Sequence, residues 1–465
     1  MKLLLRKLIS RLKSFFRFFD IDRAIFYAIL TRAWSIISGP LTILLIVTHF
    51  TSELQGYYYT FASLLGLSMF FEMGFGMLLT QFASHEWAYL TIDEKGRITG
   101  NPDAFSRLSG LARFALWWFS VAALLYACCL LITGFILFSQ YHNSQINWTT
   151  PWVILCIISG ANFGLSPMIS LLVGCNQVVQ MNLLRLIQAI LMGVTIWVAI
   201  FLGAKLWTMS FSITVGTIWC LLFLFIRYSN SLTSLLRSSQ GPKILWRREI
   251  WPFQWKLGVS CLSGYFIYQM FVPVLFHYHG AVSAGQMGMT WTLISALSEI
   301  SHAWVVTKTP QFGMLIAKRD FTQLDTLFQR SAGFSLIIMI SGAILLWGGI
   351  EYLNIIHHPF SHRLLPPLPA ALFLLAMTLN NIVGNMAYYL RAHKKEPFMI
   401  LSILGALSIT ISNLVLGSAF GQMGIAAGFL FIGFLYLVPN VMVFFKCKRK
   451  WQMNDELDTA EQKTD

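Results

Sequence analysis

An acidic residue stands inside a run of phenylalanine, methionine, glycine and leucine. The stretch FFEMGFGMLL, residues 70–79, carries Glu72. Four more ionisable side chains lie in comparably apolar surroundings: Arg32, Arg185, Lys256 and Glu299. A charge at the centre of a bilayer costs at least roughly 2.5–3.5 kcal/mol, so such groups usually face a cavity or a partner. A carboxylate there can take up a proton or a sodium ion, or hold a cation in one conformation and release it in another. The alternative for Glu72 and Glu299 is neutralisation by a neighbouring base, or protonation within the bundle. His302 lies one helical turn from Glu299. A guanidinium stays charged and donates two parallel hydrogen bonds, which suits phosphate. Arg32 is about a third of the way across the bilayer from Arg23 at roughly 1.5 Å per residue. It either snorkels to the interface or lines a cavity that receives an anionic head group. Arg185 and Lys256 lie nearer the starts of their helices, where an interfacial position competes with the same role. Gly39-Pro40 interrupts the first apolar run, and a proline there removes a backbone donor and bends a helix.

The elements that must position these groups are membrane helices. The chain has 465 residues, is 56% hydrophobic and 11% charged, and has a mean hydropathy of +0.65. Soluble domains carry roughly 25% charged residues. The fold class is therefore all-α and polytopic. A span needs about 20 mostly apolar residues. That rule predicts twelve, over 24–50, 57–80, 113–139, 152–175, 182–204, 209–227, 253–276, 285–307, 331–350, 367–389, 398–418 and 423–445. With this count one set of loops holds Arg97, Arg107, Arg237, Lys243, Arg247, Arg248, Lys318, Arg319, Arg391, Lys394 and Lys395. The opposite loops hold only Lys205 and Arg363. The bias places both termini in the cytosol, and it accounts for the net charge of +14 without nucleic-acid binding.

Five regions follow: a cytosolic amphipathic N-terminal segment over 1–23, a six-helix lobe over 24–227, a cytosolic linker over 228–252, a second six-helix lobe over 253–445 and a cytosolic tail over 446–465. Two halves of this kind suit a transporter built from repeats. In the N-terminal segment Leu4, Leu8, Leu12, Phe15 and Phe19 share one face, as in a helix lying on the lipid surface. The seven cysteines form no CxxC pattern, so neither disulfides nor a zinc site is expected. His277, His279, His357, His358 and His362 fall in external loops, as an interfacial rim or a metal site across loops. No nucleotide-binding or hydrolase motif is present. The expectation is a non-enzyme without cofactor or metal.

Two patches carry a resemblance. LQGYYYTFASLLGLSMFFEMGFGMLLTQFASHE resembles the first external turn and second helix of bacterial polysaccharide, or lipid-linked oligosaccharide, flippases of the multidrug/oligosaccharidyl-lipid/polysaccharide (MOP) superfamily. Gly56-Tyr57 and Glu72-Met73-Gly74 match the family's Gly-Tyr pair and its acid-x-Gly near the far end of helix 2. LLPPLPAALFLLAMTLNNIVGNMAYYLRAHKKEPF is similar to helix 10 and its basic loop, and GQMGIAAGFL at 421–430 to the turn into helix 12. The acid is Glu where many relatives have Asp, and Gln81 stands where relatives often carry Arg. The resemblance implies two lobes around a cavity and alternating access in a bacterial inner membrane. It implies a polyprenyl-pyrophosphate-linked oligosaccharide as substrate, with Arg32, Arg185 and Lys256 as cavity cations and Glu72 and Glu299 exchanging partners. The partners implied are membrane lipids and the polysaccharide synthesis or polymerase machinery, with the transporter itself a monomer. A cation-coupled drug or metabolite antiporter of the same superfamily, and a membrane-embedded glycan polymerase or acyltransferase, are the competing readings.

Overall fold

Long apolar runs give long helices, and their ends are set by local chemistry. The computed structural model describes residues 23–93, 96–139, 146–236, 246–393 and 395–461. The expected amphipathic segment before Arg23 lies outside the described residues. The helices are α1 (Arg23–His49), α2 (Ser52–Leu65), α3 (Ser68–Glu72), α4 (Phe75–Trp87), α5 (Pro102–Phe138), α6 (Thr149–Gly174), α7 (Val178–Phe201) and α8 (Trp207–Leu236). They continue as α9 (Trp246–Glu249), α10 (Trp251–Tyr268), α11 (Phe271–Val306), α12 (Thr309–Ala317), α13 (Phe321–Ile355), α14 (Pro367–Ala392) and α15 (Met399–Glu461). A two-stranded antiparallel hairpin, β1 (Leu90–Ile92) and β2 (Ile98–Gly100), precedes α5 as a small exception to the all-α class.

Several helices outrun their predicted spans. The third was expected from 113, but α5 starts at Pro102. The Asn101 side chain accepts from the backbone N–H of Asp103 at 2.8 Å and of Ala104 at 3.3 Å, and proline is well suited to the first turn. The Asp320 side chain caps α13 in the same way, through Gln323 N at 3.0 Å. The linker expected over 228–252 begins as helix, because α8 continues to Leu236, and the tail expected from 446 is helical as far as Glu461.

Among the described residues, nine helices are long and apolar enough to cross a membrane, or ten if the bent pair Ser52–Glu72 and Phe75–Trp87 is one span. Two of these segments, Gln254–Ile316 and Met399–Trp451, are 63 and 53 residues long. At the helical rise they would reach about 80–95 Å, far beyond a hydrocarbon core of about 30 Å. Each reverses at a glycine in left-handed φ: Gly280 (φ 84°) and Gly421 (φ 57°). Around Gly421 the two arms of α15 run antiparallel. Gly424 abuts the Leu416 carbonyl, Gly428 abuts the Ser412 hydroxyl, and Ser408 Oγ lies 3.1 Å from the Tyr436 hydroxyl. Around Gly280, the rings of Phe271 and Trp291 meet at 4.9 Å. Counting each reversal as two crossings turns the ten into twelve.

The chain divides into two compact units. The first comprises the described parts of Met1–Phe50 and of Leu67–Gly258; the second comprises Thr51–Gly66 and the described parts of Val259–Asp465. Unit one packs α1 on α7, α5 on α6 and α4 on α6. Phe75 stacks on Phe119 at 5.9 Å in its interior, and Leu172, Met181, Leu184, Cys220, Leu224 and Tyr228 form a second cluster. Unit two packs α2 on α11, and α14 on α15. Its core joins Phe271, Trp291, Phe373 and Phe429.

Two expectations are corrected here. The second helix, predicted as one span over 57–80, is three segments, and its first segment α2 belongs with unit two. The reason is close approach. A Cβ on Gly56 would collide with the Ala281 carbonyl, one on Gly288 with the Tyr59 side chain, and one on Gly285 would stand 2.9 Å from Gly56 N. Gln55, buried, donates to the carbonyls of Gly285 at 2.9 Å and Arg363 at 3.0 Å, and Ser63 donates to the Gln269 carbonyl. The division between units was expected at the 228–252 linker but falls within α10, after Gly258. Gly258 packs on Met73, where its Cβ would lie 2.9 Å from Met73 Cε, and Trp246 Nε1 donates to Gln254 Oε1 at 2.8 Å.

The glycine contact makes a direct prediction. Overpacking typically costs about 1–3 kcal/mol. Gly56→Ala is expected to lower the thermal midpoint of the detergent-solubilised protein by several degrees. Gly39→Ala, where a new Cβ meets nothing within 4 Å, should leave it unchanged. Fluorescence-detected size-exclusion after heating reads both, and equal behaviour of the two variants would contradict the packing.

Candidate functional site

Glu72 is the last residue of α3, and the chain breaks immediately after it. Met73 (φ 48°, ψ 33°) and Gly74 (φ 68°, ψ 10°) are both left-handed, and α4 restarts at Phe75. A non-glycine residue held there costs of order 1–2 kcal/mol and persists only where its surroundings enforce it. Left-handed Met73 still donates to the Met69 carbonyl at 3.2 Å. The carboxylate folds forward over Gly76, toward α6: a Cβ on Gly76 would be 2.9 Å from Glu72 Oε1 and 3.1 Å from Ser170 Oγ. Thr80 Oγ1 donates to the Ser170 carbonyl at 3.0 Å and ties α4 to the same place. A carboxylate, a hydroxyl and the open backbone groups of a broken helix are thus gathered in unit one. Broken membrane helices survive where neighbours or a cavity satisfy the freed groups.

Unit one also holds the three predicted cations. Arg32 is exposed on α1. The opposite side of α1 is fastened to α7, where Trp34 Nε1 donates to the Ala189 carbonyl at 3.1 Å and Trp197 Nε1 to Thr42 Oγ1 at 2.9 Å. The helix runs through Gly39-Pro40 without interruption. Arg185 on α7 and Lys256 on α10 are exposed too, and Lys256 Nζ stands 5.9 Å from the Trp255 ring centre. Among the described residues none of these three cations is in an ion pair. Arg107, by contrast, bridges Glu86 at 2.7 Å and Glu249 at 3.1 Å. One further cation was not expected inside a span. Arg113, partly buried, was predicted at the very start of its helix, yet α5 begins eleven residues earlier. The Asn-Pro pair at 101–102 was the available signal.

Glu299 lies in unit two. It is exposed to a cavity of about 600 Å³ whose wall includes His302, Asn380, Tyr388, Arg391 and Asn440. Arg391 is held by Glu396 through Nη2–Oε1 at 2.7 Å and Nε–Oε2 at 3.0 Å. Behind the cavity a buried polar network joins α11, α13 and α14. Asn381 Nδ2 donates to Ser301 Oγ at 2.8 Å, and Asn385 Nδ2 to Ser335 Oγ at 3.2 Å. LNNIVGN, with amides at i and i+4 in an apolar helix, was the sequence sign of this network. The structure therefore places Glu72 and the cations in one unit and Glu299 in the other. The outer histidines are fastened separately: His279 Nε2 is 2.8 Å from the Gly417 carbonyl, and His358 Nδ1 accepts from Phe360 N at 3.2 Å. Among the described residues, no three His, Cys, Asp or Glu side chains are grouped to hold a metal.

No protein-family model matches the sequence, and no curated protein matches it. Solved structures match the fold. The lipid II flippase MurJ in an inward closed conformation aligns with a TM-score of 0.57 at 14% identity, covering 94% of this chain and 91% of that one. The eukaryotic MATE transporter AtDTX14 aligns at 0.58 and 12%, covering 93% and 100%. An inward-facing MATE multidrug resistance transporter of the MOP superfamily aligns at 0.52 and 12%, covering 88% and 99%. The chain thus has the all-α fold of these transporters, over nearly its full length. These neighbours are transporters and not enzymes.

The Glu72 cluster predicts a coupling. Gly76→Ala inserts a methyl group between the carboxylate and the Ser170 hydroxyl and should cost about 1–3 kcal/mol. Ser170→Ala in the same background should recover part of that loss, because the hydroxyl at 3.1 Å is gone. Thermal unfolding of the four members of the cycle measures the coupling, and strict additivity would contradict the cluster.

Proposed function

From the fold of a MOP-superfamily transporter, we propose that this chain flips an isoprenoid-pyrophosphate-linked oligosaccharide from the cytosolic to the outer leaflet, by alternating access, for surface polysaccharide biosynthesis. The observation that carries this reading is the set of cations in unit one that form no ion pair among the described residues: Arg32, Arg185 and Lys256 are exposed on helices that otherwise present apolar groups. Left without an anion, three such groups are expensive in a membrane. A pyrophosphate supplies the missing charge, and the guanidinium fork matches its oxygens. The isoprenoid tail remains in lipid. Glu72 serves as the group that changes partner between states, since a ligand shifts a conformational equilibrium only by binding its states unequally.

A second reading, a cation-coupled drug or metabolite antiporter, is favoured by one observation. Glu299 is an exposed carboxylate in an aromatic-lined cavity, an arrangement that attracts organic cations.

Proteoliposomes separate the two. A fluorescent polyprenyl-pyrophosphate-linked sugar should cross the bilayer in the presence of the wild-type protein. A hydrogen bond to a charged group is worth about 1.5–3 kcal/mol, so Arg32→Ala should slow flipping roughly ten- to hundredfold. Glu72→Gln should slow it as well. If both variants flip at the wild-type rate, the charge-based mechanism is wrong. Uptake of a lipophilic cationic dye without any movement of the pyrophosphate lipid would establish the antiporter instead.

A further inference from the structure

The second arm of α15 has two faces of opposite kind, and the inward face fixes where the outward one points. Phe444 is buried in the unit-two core, its ring 5.7 Å from that of Phe328 and 5.4 Å from that of Tyr389. One turn on, Lys448 Nζ pairs with Asp325 Oδ2 at 2.7 Å. Trp451 follows on the same side, its ring 4.7 Å from that of His393. A helix turns by about 100° per residue, so Met442, Lys446, Arg449 and Lys450 must share the opposite side. All four are exposed. Among the described residues none of these three cations is in an ion pair. The next acid in the chain, Asp455, comes about 7.5 Å beyond Lys450 along the axis.

The outward face is apolar up to the cations and basic from there on. Phe431, Leu435, Val438 and Met442 recur at helical spacing, each more than half exposed. Lys446 and Arg449 continue the same spacing. From Phe431 to Met442 the stripe is about 16 Å long at the helical rise, close to half of a hydrocarbon core of roughly 30 Å. It is therefore one leaflet deep. Phe431 itself is about 15 Å from the reversal at Gly421, which sets it near the middle of the bilayer. Lys446, Arg449 and Lys450 then stand at the head-group level of the leaflet nearest the C-terminal end of the chain.

We propose that this face of α15 is a binding site for an acidic phospholipid, with an acyl chain along residues 431–442 and the phosphate among Lys446, Arg449 and Lys450. The ligand that matches the whole stripe has an apolar tail one leaflet long and an anionic head. Arg449 offers phosphate oxygens a planar fork, and Lys446 and Lys450, one turn apart, add two point charges. The opposite side of the same two turns is fastened to Asp325 and His393, so the three cations are carried on a segment already anchored in unit two. The site lies on unit two alone and is independent of what the protein transports.

The test is native mass spectrometry of the full chain, titrated with phosphatidylglycerol or with phosphatidylcholine of the same acyl chains. Each basic residue beside an anionic head is worth about fivefold, so the unsubstituted protein should bind the acidic lipid at least about tenfold more tightly. Lys446→Gln, Arg449→Gln and Lys450→Gln combined should abolish that preference. Lys308→Gln, Lys318→Gln and Arg319→Gln combined remove the same formal charge elsewhere on unit two and should keep it. No preference in the unsubstituted protein, or equal loss in the two triple variants, overturns the proposal. Full competition by soluble glycerol phosphate also overturns it, because the site would then bind phosphate without a tail. A photoactivatable phosphatidylglycerol, with the reactive group in its acyl chain, checks the same site without substitution. It should label residues 431–442 at least about fivefold more than the choline lipid at equal mole fraction, and equal labelling would contradict the site.

Discussion

A charge placed in hydrocarbon must be given a break in the helix, a partner or a cavity, and the polar architecture of this chain follows from that constraint. Glu72 has a break, with two left-handed residues that free backbone groups around its carboxylate. Glu299 and His302 have a cavity. Beyond the predicted spans, Arg391 and Lys448 are paired with carboxylates, Glu396 at 2.7 Å and Asp325 at 2.7 Å. The network of Ser301, Ser335, Asn381 and Asn385 follows the same rule for neutral groups, each amide answered by a hydroxyl or another amide. Against that pattern Arg32, Arg185 and Lys256 stand out, because the structure gives them exposure and no carboxylate.

Where no charge is involved, the helices are brought together by absence of side chain. Water does not drive association between apolar helices in lipid, so close van der Waals packing of small residues has to do so. Gly56, Gly285 and Gly288 let α2 and α11 touch backbone to backbone, and Gly424 and Gly428 do the same within the α15 hairpin. Gly134 makes room in the same way for the buried indole of Trp152 on α6. These contacts explain why Gly56-Tyr57 is a recognisable pair. Gly56 supplies the approach, and Tyr57, 1% exposed, fills the space beside it and meets Phe276 edge-on at 5.0 Å.

Much of the fold was legible in residue order because lipid imposes a length on each span and a charge bias on each loop. The twelve crossings could be counted from apolar runs and basic loops, and the reversals at Gly280 and Gly421 fall between runs that the sequence separates. What could not be read depended on tertiary contact. Methionine disfavours left-handed φ, so nothing at Met73 announced the break after Glu72. The membership of α2 in unit two is decided by Ala281 and Gly285, more than 200 residues away. The boundary at Gly258 depends on Met73. The site was legible in the same uneven way. Glu72, Glu299 and the three cations could be picked out as charges in apolar runs, whereas the pairing of Asn381 with Ser301 and of Asn385 with Ser335 depends on which helices α14 packs against. Arg113 is the first residue of its predicted span, and the Asn101 cap carries the helix back to Pro102, which puts Arg113 three turns inside α5.

The central claim, that this chain moves a lipid-linked glycan across the membrane, is tested most directly in its native cell after deletion of the gene. Isoprenoid-linked glycans would be extracted, identified by mass and assigned to a leaflet with a membrane-impermeant glycan-modifying reagent. The account predicts an intact lipid-linked glycan trapped on the cytosolic face, together with loss of surface polysaccharide. Unchanged lipid-linked pools and a normal surface, in a cell with no second flippase, would contradict it.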